Sequence, residues 1–219
     1  MLKYRTQNKV IRPNGLGLSI LLLLFVSNSA GGEPADPHAH HRAMMQNPGK
    51  YVRSIEHYKI PDVVLLNATG DKVNINDAVN LDEPLMLNFI FTTCTAICPV
   101  LSATFAQTRT QLGPAHDDVN YLSISIDPEH DTPDRLKAYA ENYRAGPEWE
   151  FFTGSLEDII SVQRAFNAYR GDKMNHRPLT FLRASRKTPW VRLEGFATAS
   201  DLVDEYHKLF DRSLSSSTD

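Results

Sequence analysis

The chain has 219 residues, 42% of them hydrophobic and 9% aromatic, with a formal net charge of −3. This suits one globular domain with appendages. The acidic balance, and the lack of any long basic run beyond the N-terminus, exclude nucleic acid as the expected partner.

Lys3, Arg5, Lys9 and Arg12 form a positive leader, and Leu16 to Val26 is an apolar run broken only by Gly17 and Ser19. Ser27-Asn28-Ser29-Ala30 follows with small residues. This order predicts a secretory signal over residues 1–30, with an uncleaved anchor as the alternative. The run is shorter than the ~20 residues that span a bilayer. Either way the remainder is expected to be exported and close to a membrane. In a bacterium that means the periplasm, where unprotected thiols oxidise. Residues 31–50 hold Pro34, Pro37 and Pro48 with His38, His40, His41, Met44 and Met45 between them. The composition predicts a flexible linker. A copper-collecting tail is the competing reading, because imidazole and thioether both suit copper.

The domain is expected over residues 51–212. Pro61 to Leu66 predicts a strand, Asn67-Ala68-Thr69-Gly70-Asp71 a turn and Val73-Asn74-Ile75 a second strand, which makes an N-terminal β-hairpin. Leu85 to Phe91 is nearly continuous in apolar residues and predicts a central strand. A helix is expected from Pro99, with Leu101, Phe105, Thr108 and Leu112 at helical spacing and Gly113-Pro114 as its end. Val119 to Ile126 alternates as a strand. Thr132-Pro133 opens a helix to about Arg144. Trp149 to Phe152 is a short strand, and Ser155 caps a helix to about Tyr169. Leu179 to Leu182 and Trp190 to Leu193 are expected to pair antiparallel. Ser200 is expected to cap a last helix carrying Leu202, Val203, Tyr206, Leu209 and Phe210, before a disordered polar tail over 213–219. Strand–helix–strand alternation implies right-handed crossovers and a covered sheet. The order of elements predicts an α/β, thioredoxin-like fold with an N-terminal β-hairpin.

Thr93-Cys94-Thr95-Ala96-Ile97-Cys98-Pro99 holds the chain's two cysteines, where the central strand turns into a helix. A disulfide here closes so short a loop that chain entropy gives only about 2 kcal/mol. The pair is better suited to chemistry. Helix N–H groups and the positive end of the helix dipole favour a thiolate. The three-residue spacer leaves more room between the sulfurs than a C-x-x-C motif. Among eight histidines, His176 stands just before Pro178-Leu179-Thr180-Phe181-Leu182. In a thioredoxin-like fold that segment packs against the dithiol, often through a cis-proline, for which Pro178 is the candidate. Two thiolates and an imidazole suit Cu(I) and can hold Cu(II), whereas zinc would want a fourth ligand. Asp127, at the C-terminal end of its strand, is placed to support the metal or assist proton transfer. An ordinary acidic loop capped by Thr132 is the alternative.

Leu87-Asn88-Phe89-Ile90-Phe91-Thr92-Thr93-Cys94-Thr95-Ala96-Ile97-Cys98-Pro99, Ser125-Ile126-Asp127-Pro128-Glu129-His130-Asp131-Thr132-Pro133 and the single His176 together resemble the Sco/SenC family of copper chaperones for cytochrome c oxidase. The resemblance runs from about Lys59 to Leu209. It implies Cys94, Cys98 and His176 as copper ligands, and delivery of copper or reducing equivalents to the copper centre of a respiratory oxidase or another copper protein. A periplasmic thiol reductant would keep the pair reduced. Members commonly carry Asp-His-Ser around the ligand, whereas this chain has Asn175-His176-Arg177, which removes an acid beside the imidazole and adds a positive charge. The rival reading is a thiol–disulfide oxidoreductase in which Cys94 attacks a substrate disulfide and Cys98 resolves the mixed disulfide, without metal.

Overall fold

The structure, a computed structural model, describes residues 51–215. The segments expected to be a signal (1–30) and a linker (31–50), and residues 216–219 of the expected tail, lie outside the described residues.

Eight strands form one sheet: β1 (Tyr51–Glu56), β2 (Val64–Asn67), β3 (Lys72–Asn74), β4 (Leu85–Ile90), β5 (Asn120–Ser125), β6 (Trp149–Thr153), β7 (Leu179–Arg183) and β8 (Trp190–Gly195), in the order β1-β8-β7-β4-β5-β6-β2-β3. β4, β5 and β6 run parallel, and β7 runs antiparallel to β4. Every residue of β4 and of β7 is buried, so both faces of the sheet's centre are covered. This is why the Leu85–Ile90 run lacks a polar alternate. Its exception, Asn88, is opposite Ser123 and accepts that hydroxyl's hydrogen bond at 2.8 Å, while Trp149 Nε1 donates to the same Ser123 oxygen at 2.9 Å. A polar rung thus crosses the three central strands inside an apolar core.

The helices are α1 (Ile75–Val79), α2 (Ile97–Leu112), α3 (Pro133–Asn142), α4 (Leu156–Ala165) and α5 (Ala199–Ser215). Thr132 and Ser155 accept from the Arg135 and Asp158 backbone N–H groups, the caps that the sequence announced. Gly113 ends α2 at φ 71°, ψ −178°, a conformation open to glycine.

Several boundaries differ from expectation. β3 stops at Asn74 because that side chain accepts from Asn76 N at 2.9 Å and caps α1. Ile75 is thereby buried in a helix rather than a strand. α4 ends before Tyr169, because Phe166 turns into the core and Asn167 takes φ 50°. α5 is capped by Thr198, not Ser200. Thr198 Oγ1 accepts from Asp201 N and Asp201 Oδ2 accepts from Thr198 N, a reciprocal box. Its backbone runs to Ser215, beyond the boundary expected at 212. β1 was not anticipated. It is an edge strand with Val52 and Ile55 turned outward, held by pairing with β8 and by an Arg53–Glu205 ion pair. Among the described residues no peptide bond is cis, so Pro178 is not the cis-proline expected there.

Candidate metal centre

The site forms where β4 hands the chain to α2. Cys94 N bonds back to Phe91 O at 3.1 Å, a tight turn that leaves both sulfurs on the strand's end. α2 begins at Ile97, so Cys98 is its second residue and Pro99 its third, earlier than the expected start at Pro99. The proline still costs little, since the first turn's N–H groups have no partner within the helix. Ala96, at the cap position, has no side chain to offer. The Cys94 sulfur takes that role and accepts from Cys98 N at 3.4 Å, and Cys98 Sγ accepts from Phe91 N at 3.3 Å.

His176 arrives from the other side. Asp172 caps a single 3₁₀ turn, Lys173–Asn175, and His176 closes it. Its Nδ1 lies 2.7 Å from the Lys173 carbonyl oxygen. A carbonyl only accepts, so Nδ1 carries the hydrogen and the lone pair of the neutral ring sits on Nε2. That atom is 3.6 Å from Cys98 Sγ and 3.9 Å from Cys94 Sγ. The Phe91 ring meets the imidazole edge-on at 5.0 Å. The acid missing from position 175 is therefore replaced by a backbone carbonyl, which fixes the tautomer without adding charge. The positive charge at Arg177 is met by Glu194.

The two sulfurs and one imidazole nitrogen lie within 4.8 Å of one another. Metal bonds of about 2.0 Å to nitrogen and 2.3 Å to sulfur, opened to a trigonal angle, set N and S about 3.7 Å apart. The donor set is soft, anionic through its sulfurs and three-membered, and it fits the spacing of a trigonal ion. Among the described residues it is the one group of three or more His, Cys, Asp or Glu side chains so placed. His116, in contrast, bonds the Tyr206 hydroxyl.

The sulfurs differ in protonation. The hydrogen bond from the Cys98 thiol, opposed by burial and aided by the backbone N–H groups at residues 96 and 98, lowers Cys94 to about 3. Burial, and then the Cys94 thiolate beside it, push Cys98 well up. The reduced pair thus holds one thiolate and one shared proton. The candidate ligand atoms belong to buried residues: Cys98 is 0% exposed, His176 6% and Cys94 9%.

Asp127 does not touch the sulfurs. Its carboxylate pairs with the Lys173 ammonium, and Lys173 supplies the carbonyl that holds His176. Asp127 therefore reaches the imidazole through one residue. Asp127→Asn is expected to cost about 1 kcal/mol of stability, the scale of a partly exposed ion pair. It is also expected to weaken metal retention severalfold to tenfold, measured by urea unfolding and metal competition. The residue that sequence reasoning missed is Asp131. Fully buried, it accepts from Thr92 N at 3.1 Å, from Thr92 Oγ1 at 2.5 Å and from Ser125 Oγ at 2.6 Å. It ties the cysteine loop to the end of β5. The only signal was a second acid four residues after Asp127, which is indistinguishable from a solvated loop residue.

Fold and site define a class: a thioredoxin-like domain with a dithiol–imidazole cluster at the mouth of a helix. The model of the SCO1/SenC family matches residues 56–210, and the chain belongs to that family. The SCO1 protein homolog of Bacillus subtilis is 32% identical over 113 residues, 51% of this chain and 58% of that protein. The chain spans between 25% and 58% of the length of the curated relatives it matches. The solved structure of BsSco, described as a member of the Sco family of cytochrome c oxidase assembly proteins with a disulfide switch, is 26% identical. It covers 72% of this chain and 96% of its own, with TM-score 0.60. The structure of Arabidopsis thaliana ScoI with copper bound is also 26% identical, covering 68% of this chain and 96% of its own, with TM-score 0.58.

Proposed function

We propose that this protein is an exported copper chaperone that holds one copper with Cys94, Cys98 and His176 and passes it to the copper centre of a respiratory oxidase. The observation that carries the reading is the imidazole: Nδ1 is tied to a carbonyl while Nε2 faces both sulfurs at 3.6 and 3.9 Å. Disulfide exchange forms no bond to that nitrogen, so its placement beside both sulfurs favours a third metal ligand. The copper-bound Arabidopsis relative and the oxidase-assembly description of BsSco support the same reading.

Two thiolates and an imidazole satisfy Cu(I) without a fourth donor, and loading displaces the proton held at Cys98. Release proceeds by ligand exchange, in which incoming donors of the partner replace the three ligands in turn. Cys98 is sealed, so exchange begins at Cys94 and His176. Among the described residues no helix is long and apolar enough to cross a membrane. Export and membrane proximity rest on the N-terminal leader. Oxidation would join the two sulfurs and remove both ligands, so a periplasmic thiol reductant belongs to the cycle.

The test is a Cu(I) competition titration of reduced wild type and His176→Ala. The wild type is expected to hold one copper against a strong chelator, and the variant to hold it at least tenfold less tightly. Cu(II) should give an intense thiolate charge-transfer band that disappears with Cys94→Ser or Cys98→Ser. Equal copper uptake by both proteins, with disulfide-reducing turnover that survives loss of the imidazole, would replace this reading with the oxidoreductase.

A further inference from the structure

We infer that Arg170, Arg177 and Arg192, gathered around Glu194 beside His176, form a docking surface for a carboxylate-bearing, partly apolar face of the protein that receives the copper. Naming that partner rests on the copper reading of the Cys94–Cys98–His176 cluster.

The three guanidiniums share one carboxylate. Arg177 pairs with Glu194 Oε1, and Arg192 Nη2 donates to Glu194 Oε2 at 2.8 Å. Each oxygen of Glu194 is therefore taken. Arg170 comes third. Its Nη1 donates to the Tyr169 carbonyl at 2.8 Å, and among the described residues no carboxylate pairs with it. Burial, and then the charges of Arg177 and Arg192, hold Arg170 below its usual range. Burial opposes the effect at Glu194, but the Arg177 hydrogen bond and the charges of all three arginines hold its carboxyl below the usual range. The acids nearest in sequence are engaged elsewhere: Asp127 pairs with Lys173, and Asp172 accepts from Met174 N. A chain of net charge −3 thus carries a local surplus of positive charge. Guanidinium N–H groups match a carboxylate in shape as well as charge, so a second acid, brought by a partner, completes the set.

The cluster is continuous with the metal centre. Arg177 follows His176 in sequence, and Arg170 and His176 line one cavity of about 60 Å³. Small-molecule pockets run to about 300 Å³ or more, so a protein side chain suits this place better than a metabolite. Apolar groups flank the charges. Met174, in the turn before His176, is 41% exposed. Val52, 71% exposed, is in register with Glu194 across the β1–β8 pair and so shares its face of the sheet. Arginine anchors among exposed apolar residues are the make-up of a protein interface. Because Cys98 is sealed, exchange begins at Cys94 and His176, and a partner held here brings its donors in on the His176 side.

The test uses the full chain, reduced and loaded with Cu(I), mixed by stopped flow with the metal-free soluble copper-centre domain of a respiratory oxidase. Arg170→Gln removes the charge and Arg170→Glu reverses it. Both are expected to transfer copper to the domain more slowly than wild type, Arg170→Glu by at least tenfold. Both should also lose much of the slowing that added salt imposes on wild type. Transfer to neocuproine, a small neutral chelator, should stay within twofold, and so should Cu(I) affinity. The urea midpoint of Arg170→Gln should equal or exceed that of wild type, because crowding among the guanidiniums is relieved. Unchanged transfer and salt dependence in Arg170→Glu would overturn the docking surface and leave the copper reading intact. Calorimetric binding of the metal-free reduced chain to the same domain separates the two readings. If wild type holds no Cu(I) yet binds the domain, and Arg170→Glu does not bind, the copper reading falls and the surface stands. If Arg170→Glu slows only the reduction of a Cys94–Cys98 disulfide by a thioredoxin-like reductant, the surface belongs to the reductant and its assignment to the recipient falls.

Discussion

Asp131→Ala is expected to lower the stability of the reduced protein by about 3 kcal/mol or more. The carboxylate is fully buried and accepts three hydrogen bonds, two from Thr92 and one from Ser125. Two effects compete. A buried carboxylate with no lysine or arginine among these partners carries a desolvation cost, and its removal relieves that cost. Removal also strands three donors, one on buried Ser125 and two on part-buried Thr92, at up to about 1–3 kcal/mol each. Hydroxyl donors can turn to other acceptors, but the Thr92 backbone N–H cannot, so the loss dominates. Asp131→Asn separates the two effects. It keeps one acceptor oxygen but turns an NH2 toward the remaining donors, and it is expected to fall between wild type and alanine. Urea unfolding under reducing conditions measures both variants. Thr92 stands two residues before Cys94, so copper dissociation from Asp131→Ala is also expected to quicken at least tenfold. A midpoint within about 0.5 kcal/mol of wild type would mean that the cysteine loop is held by its own turn and by α2.

The contrast between Asp131 and Cys94 shows what was legible in the sequence. The apolar run of β4, the capping residues Thr132 and Ser155, and two cysteines at the head of a helical pattern each carry a local signal. Local physics places them: burial on both faces, cap chemistry, and the free N–H groups of a first turn. His176 could be anticipated because it sits just before β7, whose position beside β4 follows from the topology. β1 gave no such signal. Its outward-facing Val52 and Ile55 break the alternation by which a half-buried strand is recognised, and its stability comes from β8 and from Glu205 on a distant helix. Ile75 was misassigned because an apolar residue after Val73 and Asn74 continues a two-residue period as readily as it starts a helix. The Asn74 cap decided the matter. The Lys173 carbonyl that orients His176 was not legible at all, because every residue has a carbonyl and only the 3₁₀ turn aims this one. Asp127 and Asp131 look alike in sequence. One ends in a partly exposed ion pair and the other in a sealed network, and only the packing of the 92–98 loop against the end of β5 separates them.

The second large effect is a rise in the stability of the reduced protein with pH that Cys94→Ser abolishes. Cys94 is lowered to about 3 in the folded chain, chiefly by the Cys98 thiol's hydrogen bond, against roughly 8.5 for an unfolded thiol. Between these values the unfolded chain binds a proton that the folded chain does not, so unfolding free energy rises with pH, by about 1.4 kcal/mol per unit. The contribution is complete above the unfolded value and is lost as pH falls toward 3. Cys98 acts in the opposite sense. Burial raises it, so above the unfolded thiol range the folded chain keeps a proton that the unfolded chain has lost, and stability falls again. From pH 6.0 to pH 7.5 the wild type is therefore expected to gain about 2 kcal/mol more than Cys94→Ser, measured by urea unfolding in a phosphine reductant. Thiolate absorbance supplies an independent reading: about one thiolate per chain near pH 5, with the second appearing only in strong alkali or when copper displaces its proton. Parallel stability curves for the two proteins, or no thiolate at pH 5, would show that each sulfur keeps its own proton. Copper uptake near neutral pH would then release more than the single proton expected from Cys98.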